Sequence, residues 1–350
     1  MEILPPDPPD NLHDARTPQL VAPSPGRSTV LFGPHGLRAG WSILLYVGVL
    51  LSLLYLAGFE LRWFAQHLHQ RLPGSSGGDF HPALAIVSEA ITLLAVVLAT
   101  AGMARLEQKR VAFYGLAGFD RARQFLIGIV CGFVFLSLLI GILLATHHLA
   151  LTEAHMPVGQ LLGYAAAWGL CFFLVGMTEE FLLRGYLLFT LARGIRFWPA
   201  AFVLAALFGL MHKANPGESP FGLTAAAMIA LVFSFSLWRL GHLWWAIGFH
   251  ASWDWAESFF YGTADSGTVS AGRWMHAHPL GSVLQSGGAT GPEGSVWVAV
   301  VLLLAAVFVW KTQPNRGLEF GRKQFPAAES QSATIDSPGR MGRVRGSAPR

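Results

Sequence analysis

Phe125–Ala145 reads FLIGIVCGFVFLSLLIGILLA, an apolar run without a single charged residue. A helix rises 1.5 Å per residue and the hydrocarbon core of a bilayer is about 30 Å thick, so about 20 such residues cross it. A helix that is apolar all round over that length has no polar face to give to water. Trp41–Phe59 is a second charge-free run, and Pro82–Met103 is a third that carries one acid, Glu89. Val296–Trp310 is shorter and stops at Lys311. Four more apolar segments, Leu161–Leu188, Phe197–His212, Phe221–Trp238 and Leu243–Phe260, fill the middle of the chain. The fold expected from this pattern is all-α, a polytopic transmembrane helix bundle of about eight spans occupying residues 39–312.

Composition agrees with that pattern. Hydrophobic residues make up 53% of the chain and charged ones 13%, with mean hydropathy +0.47, values wrong for a soluble globule. Residues 1–38, with Pro5, Pro6, Pro8, Pro9, Pro23 and Pro25, read as a disordered cytosolic tail, and 313–350 as a second, basic one. The net charge of +4 is spread over polar gaps and this tail rather than over one folded patch, so nucleic acid is not an expected partner. With the N-terminus inside, Arg105, Lys109, Arg110, Arg121, Arg123, Arg193, Arg196, Arg239 and Lys311 all fall on the cytoplasmic side. The other side keeps little more than Arg62, Arg71, Lys213 and Arg273. Because Lys and Arg concentrate in cytoplasmic loops, both termini are expected in the cytoplasm of a multi-pass protein, here assigned to a bacterial cell membrane. Cys131 and Cys171 lie in apolar runs and form no CxxC motif, so they read as packing residues.

Charge inside a span costs about 2.5–3.5 kcal/mol per residue on insertion scales, which makes the polar residues of 161–260 informative. Glu179 and Glu180 occur in MTEEFLLR, His212 in FGLMH, and His250 and Asp254 in GFHASWD. Glu180 and Arg184 are four apart and share a helix face, so an ion pair between them leaves Glu179 turned about 100° away as the freer acid or base. His250 and Asp254 are likewise four apart, a spacing that lets the carboxylate fix the imidazole tautomer. If a hairpin turns near Gly194–Phe197, Glu179 and His212 both lie about 24 Å from it at 1.5 Å per residue. His250 lies about 13 Å from the next cytoplasmic turn and joins them only where helices tilt or break. Taken singly, each motif fits a plain structural role, such as a snorkelling arginine at a helix end. Glu89 and Glu257 read as interfacial or supporting acids, Glu257 continuing the His250–Asp254 face.

In this order on successive helices, Glu-Glu-x-x-x-Arg, Phe-x-x-x-His and His-x-x-x-Asp resemble the CAAX protease and bacteriocin-processing family, which includes the Rce1-type prenyl endopeptidases. The resemblance covers roughly Leu161–Phe260, the expected catalytic core. It implies an eight-helix intramembrane endopeptidase acting on prenylated or otherwise membrane-associated peptides, with membrane lipid as its surroundings. By the same resemblance Glu179 activates the hydrolytic water, His212 positions or deprotonates it, and His250 and Asp254 match the oxyanion-stabilising motif, with Glu180 and Arg184 in support. Rce1-type enzymes resemble one another in an Asn where this chain has Asp254. An ionised carboxylate cannot donate to an oxyanion, so Asp254 is read as orienting His250.

No cofactor is required by this chemistry. Glu179, His212 and His250 are nevertheless candidate ligands for a divalent metal such as zinc, which leaves its fourth position to water. The His-Glu-x-x-His pairing of zinc proteases is absent, and water activation by a general base needs no ion. Two rival classes place similar residues at mid-membrane. An ion-coupled secondary transporter would show inverted repeats, which the sequence does not, and a non-catalytic scaffold or immunity protein would keep the motifs for partner binding.

Overall fold

The computed structural model describes residues 30–33, 36–69 and 81–315. Among these, α1 (Ala39–His69), α2 (Pro82–Leu106) and α3 (Arg121–Ala145) precede α4 (Val158–Glu180). A π-helical segment, Phe181–Leu187, joins α4 to α5 (Leu188–Ile195), and α6 (Phe197–Met211), α7 (Pro220–Leu240) and α8 (Trp244–Trp255) follow. A one-turn helix, α9 (Val283–Ser286), and α10 (Trp297–Thr312) complete the bundle. Local chemistry sets the boundaries. Ser219 caps α7 by accepting from the Gly222 amide at 3.0 Å, Pro220 occupies the first helical position, and Gly241 ends the helix at φ 79°. The molecule is a polytopic helical membrane bundle. Among the described residues, six helices are long and apolar enough to cross a bilayer, with α4 to α5 counted as one 38-residue span. Leu51, Tyr55, Leu56, Leu126, Val130 and Leu303 point outward and are exposed, as lipid-facing residues must be.

The remaining two of the eight expected spans are α8 and α10, and both are shorter. α8 has 12 residues, so it is about 18 Å long. Its residues from Trp245 to Asp254 are all buried, which places it at the centre of the bundle against α3 and α4. Glycines permit that position. A Cβ at Gly128 or Gly132 of α3 would collide with the carbonyls of Trp245 or Phe249, and one at Gly248 with the Phe125 carbonyl. A Cβ at Gly176 of α4 would lie 3.1 Å from the Ile247 carbonyl and 3.5 Å from the His250 Cβ. Small residues thus bring three backbones together where lipid offers no hydrophobic drive for association. The α6–α7 hairpin is joined the same way, because a Cβ at Gly209 would meet the Leu223 carbonyl.

Three features depart from the sequence reading. The helix expected over Leu161–Leu188 is broken: Gly185 has ψ −117°, and the following turn at Arg196 takes a left-handed φ of 71°. The depth arithmetic from 1.5 Å per residue therefore does not hold between Glu179 and the turn. The fold is also not purely helical, since β3 (Leu149–Glu153) pairs antiparallel with β4 (Met275–Pro279), folding the 264–295 loop back onto the end of α3. Finally, β1 (Phe32–Gly33) pairs with β2 (Gly36–Leu37) inside what reads as the N-terminal tail. The rest of that tail, residues 1–29, 34 and 35, and residues 316–350 of the C-terminal one lie outside the described residues.

Candidate active site

A polar cavity of about 180 Å³ opens between α4, α6, α7 and α8, and Glu179, His212, His250 and Asp254 all line it. Glu179 and Glu180 end α4, one turn beyond Gly176, so the closest approach of α4 to α8 delivers both carboxylates to His250. The two neighbours then diverge. Glu180 is fully buried and its Oε1 accepts from Arg184 Nη1 at 3.0 Å, while Glu179 keeps 27% of its side chain exposed at the cavity wall. Arg184, 1% exposed, stacks its guanidinium over Phe208 at 4.6 Å and lies 5.8 Å from the Phe233 ring.

Both nitrogens of the His250 ring face carboxylates. Nδ1 is 3.1 Å from Glu180 Oε1, and Nε2 is 3.6 Å from Glu179 Oε2 and 3.5 Å from Asp254 Oδ2. Phe233 stacks on the ring at 5.4 Å. The shortest hydrogen bond of His250 therefore runs from its Nδ1 to Glu180, a partner 70 residues away, and not to Asp254. His212 stands at the end of α6, where its Nδ1 donates to the Phe208 carbonyl at 2.8 Å. That bond assigns the proton of a neutral ring to Nδ1 and leaves Nε2 as an acceptor.

The cavity has a second wall that the motifs do not disclose. Asn215, Asp265, Ser266 and Glu293 line it from the loops after α6 and α8. Glu257 is fully buried at the end of α8, and its carboxylate groups with those of Asp265 and Glu293, one oxygen of each lying within 4.8 Å of the others. Among the described residues this trio has the spacing of a metal-binding group, and Glu179, His212 and His250 do not enter it. Burial, reinforced by the Glu293 charge, pushes Asp265 up to about 7. Burial likewise raises Glu218 above the ordinary carboxylate range, against the hydrogen bond from the Ser219 amide. No short-range pattern marks Asp265 or Glu293, because they reach the cavity by loop folding.

Residues 160–256 match the family model described as type II CAAX prenyl endopeptidase Rce1-like. This segment is similar to that family over 97 of the chain's 350 residues. It contains Glu179, Glu180, Arg184, His212, His250 and Asp254, and stops one residue before Glu257. Searches of curated proteins and of solved structures gave no match. The match to an Rce1-like membrane protease family and the six long apolar helices among the described residues support an integral membrane protein.

Proposed function

We propose that the Rce1-like domain hydrolyses peptide bonds of membrane-associated substrates, prenylated CAAX-type peptides foremost, with Glu179 as general base. The observation that carries this reading is the division of labour between adjacent carboxylates. Arg184 neutralises Glu180, and Glu179 stays on the cavity beside His212 and His250. A water held between Glu179 and His212 Nε2 loses a proton to Glu179 as its oxygen attacks the scissile carbonyl carbon. Charge gathers on the carbonyl oxygen, where a proton on His250 Nε2 stabilises it, and Glu180 holds the ring through Nδ1. Asp254 sets the Nε2 side of the same ring from one helical turn away. Collapse of the tetrahedral intermediate breaks the C–N bond, and Glu179 returns its proton to the leaving amine. The three residues supply general-base and electrostatic catalysis with no step assigned to a metal.

The orientation that suits the basic loops puts both termini in the cytoplasm, and a bacterial cell membrane is the proposed location. The test is reconstitution of the purified chain with a prenylated CAAX peptide and an unprenylated control. Glu179→Gln should lower kcat by about 10²–10⁴-fold with the unfolding temperature unchanged, and His212→Ala by about 10²-fold or more. Wild-type rates in both variants would discard the mechanism. Equal cleavage of the unprenylated control would keep the protease and discard the prenyl requirement.

A further inference from the structure

Among the described residues, buried Glu257 and half-buried Asp265 and Glu293 form an acidic trio without a basic partner. Glu257 lies in the π-helical segment Ala256–Phe260 that continues α8, Asp265 follows it in the loop, and Glu293 lies 28 positions further on, yet their carboxylates converge. Asp265 Oδ2 accepts from Ser258 Oγ at 3.0 Å, and Glu293 accepts from Trp253 Nε1 at 2.8 Å and Ser266 Oγ at 3.1 Å. Glu257 is 0% exposed and neither of its carboxylate oxygens has a hydrogen-bond partner, though both belong to a side chain aimed into the cluster. Among the described residues no lysine or arginine pairs with any of the three. A buried carboxylate left without a counter-charge costs several kcal/mol. Three within 4.8 Å add mutual repulsion to that cost.

We propose that Glu257, Asp265 and Glu293 bind one hard divalent cation of the Ca²⁺ class. Every donor is a carboxylate oxygen, and the set contains no thiolate or imidazole of the kind that selects zinc or copper. Ligands held about 2.3–2.6 Å from Ca²⁺ stand up to about 5 Å apart, which is the spacing seen here, whereas Mg²⁺ asks for tighter octahedral geometry. The backbone is built to bring the donors in. A Cβ at Gly291 would collide with the Ala264 carbonyl and lie 3.3 Å from Glu257 Oε1, so only glycine lets the two loop strands close over the carboxylates. The ion ties both ends of the 264–295 loop to the end of α8, on the wall of the cavity facing Glu179. In the proposed orientation this loop is extracytoplasmic, where Ca²⁺ is available.

The experiment uses the full chain in detergent micelles, stripped with chelator, with no substrate present, so its outcome is separate from that of the protease assay. Tb³⁺ is titrated in while the tryptophans are excited, since Trp253 donates directly to Glu293 and is placed to sensitise a bound lanthanide. Expected are a saturable signal at one ion per chain, displacement by Ca²⁺ ahead of Mg²⁺, and a Ca²⁺-dependent rise in unfolding temperature. Glu257→Gln and Asp265→Asn should each weaken Ca²⁺ binding by about tenfold or more, because affinity follows the number of charged ligands. Wild type without saturable Tb³⁺ binding and without a Ca²⁺-dependent shift overturns the proposal, whether or not either variant folds. Undiminished binding in both variants overturns it as well.

Discussion

The two walls of the cavity bury similar numbers of carboxylates and treat them in opposite ways. On the α4 wall, Glu180 is answered by Arg184 at 3.0 Å and by His250 at 3.1 Å, all three buried. On the loop wall, Glu257 is equally buried and meets no cationic side chain among the described residues. The first wall is complete as synthesised and can serve as a rigid mount for a reacting group. The second is in electrostatic debt until something positive arrives. Burial of a charge therefore says little about its role until its partner is named.

The sharpest way to break this contrast is to remove the arginine. Arg184→Met leaves Glu180 buried without its cation, and thermal unfolding in detergent should show a loss of about 3–5 kcal/mol, partly restored when Glu180→Gln is added. If the single variant were as stable as wild type, the α4 wall would not depend on charge compensation. Next in size is the spacing of the mount. Gly176→Ala places a methyl group 3.1 Å from the Ile247 carbonyl, and should cost about 1–3 kcal/mol and lower turnover by shifting Glu179 against His250. Unaltered kinetics would show that the α4–α8 distance is slack. The smallest effect carries the most pointed sign. In chelator, at a pH high enough to ionise the trio, Glu257→Gln should raise stability by on the order of 1 kcal/mol, by relieving repulsion among the trio, and in Ca²⁺ it should lower it. Glu180→Gln should destabilise under both conditions. Identical signs for the two glutamates would erase the distinction between the walls.

Much of this was legible in the sequence because it is local. The run Phe125–Ala145 declares a span by the absence of charge, and it is a helix over Arg121–Ala145. The i, i+4 spacing of Glu180 and Arg184 declares their ion pair, and the ordered motifs over 161–260 announced the domain that the family model finds at 160–256. What escaped depends on contacts distant in sequence. Leu149 pairs with Pro279, and His250 donates its shortest bond to Glu180, neither of which has a periodic signature. Despite the expected depth mismatch, His250 Nε2 comes within 3.6 Å of Glu179, whose path to the turn is interrupted at Gly185. Asp265 and Glu293 were hidden for the same reason as β3–β4: only the folded loop brings them to the cavity.

The glycine contacts have a mechanical consequence. Where Gly128, Gly132, Gly176 and Gly248 let backbone touch backbone, α3, α4 and α8 are welded into one piece, and Gly209 does the same for α6 and α7. Between the two pieces run softer contacts made by side chains: Phe208 and Phe233 against Arg184 and His250. The cavity lies along that seam. Under the proposed function, a peptide arriving from the bilayer therefore has to part aromatic side chains and need not pry apart the welded backbones that carry Glu179 and His250 on one side and His212 on the other.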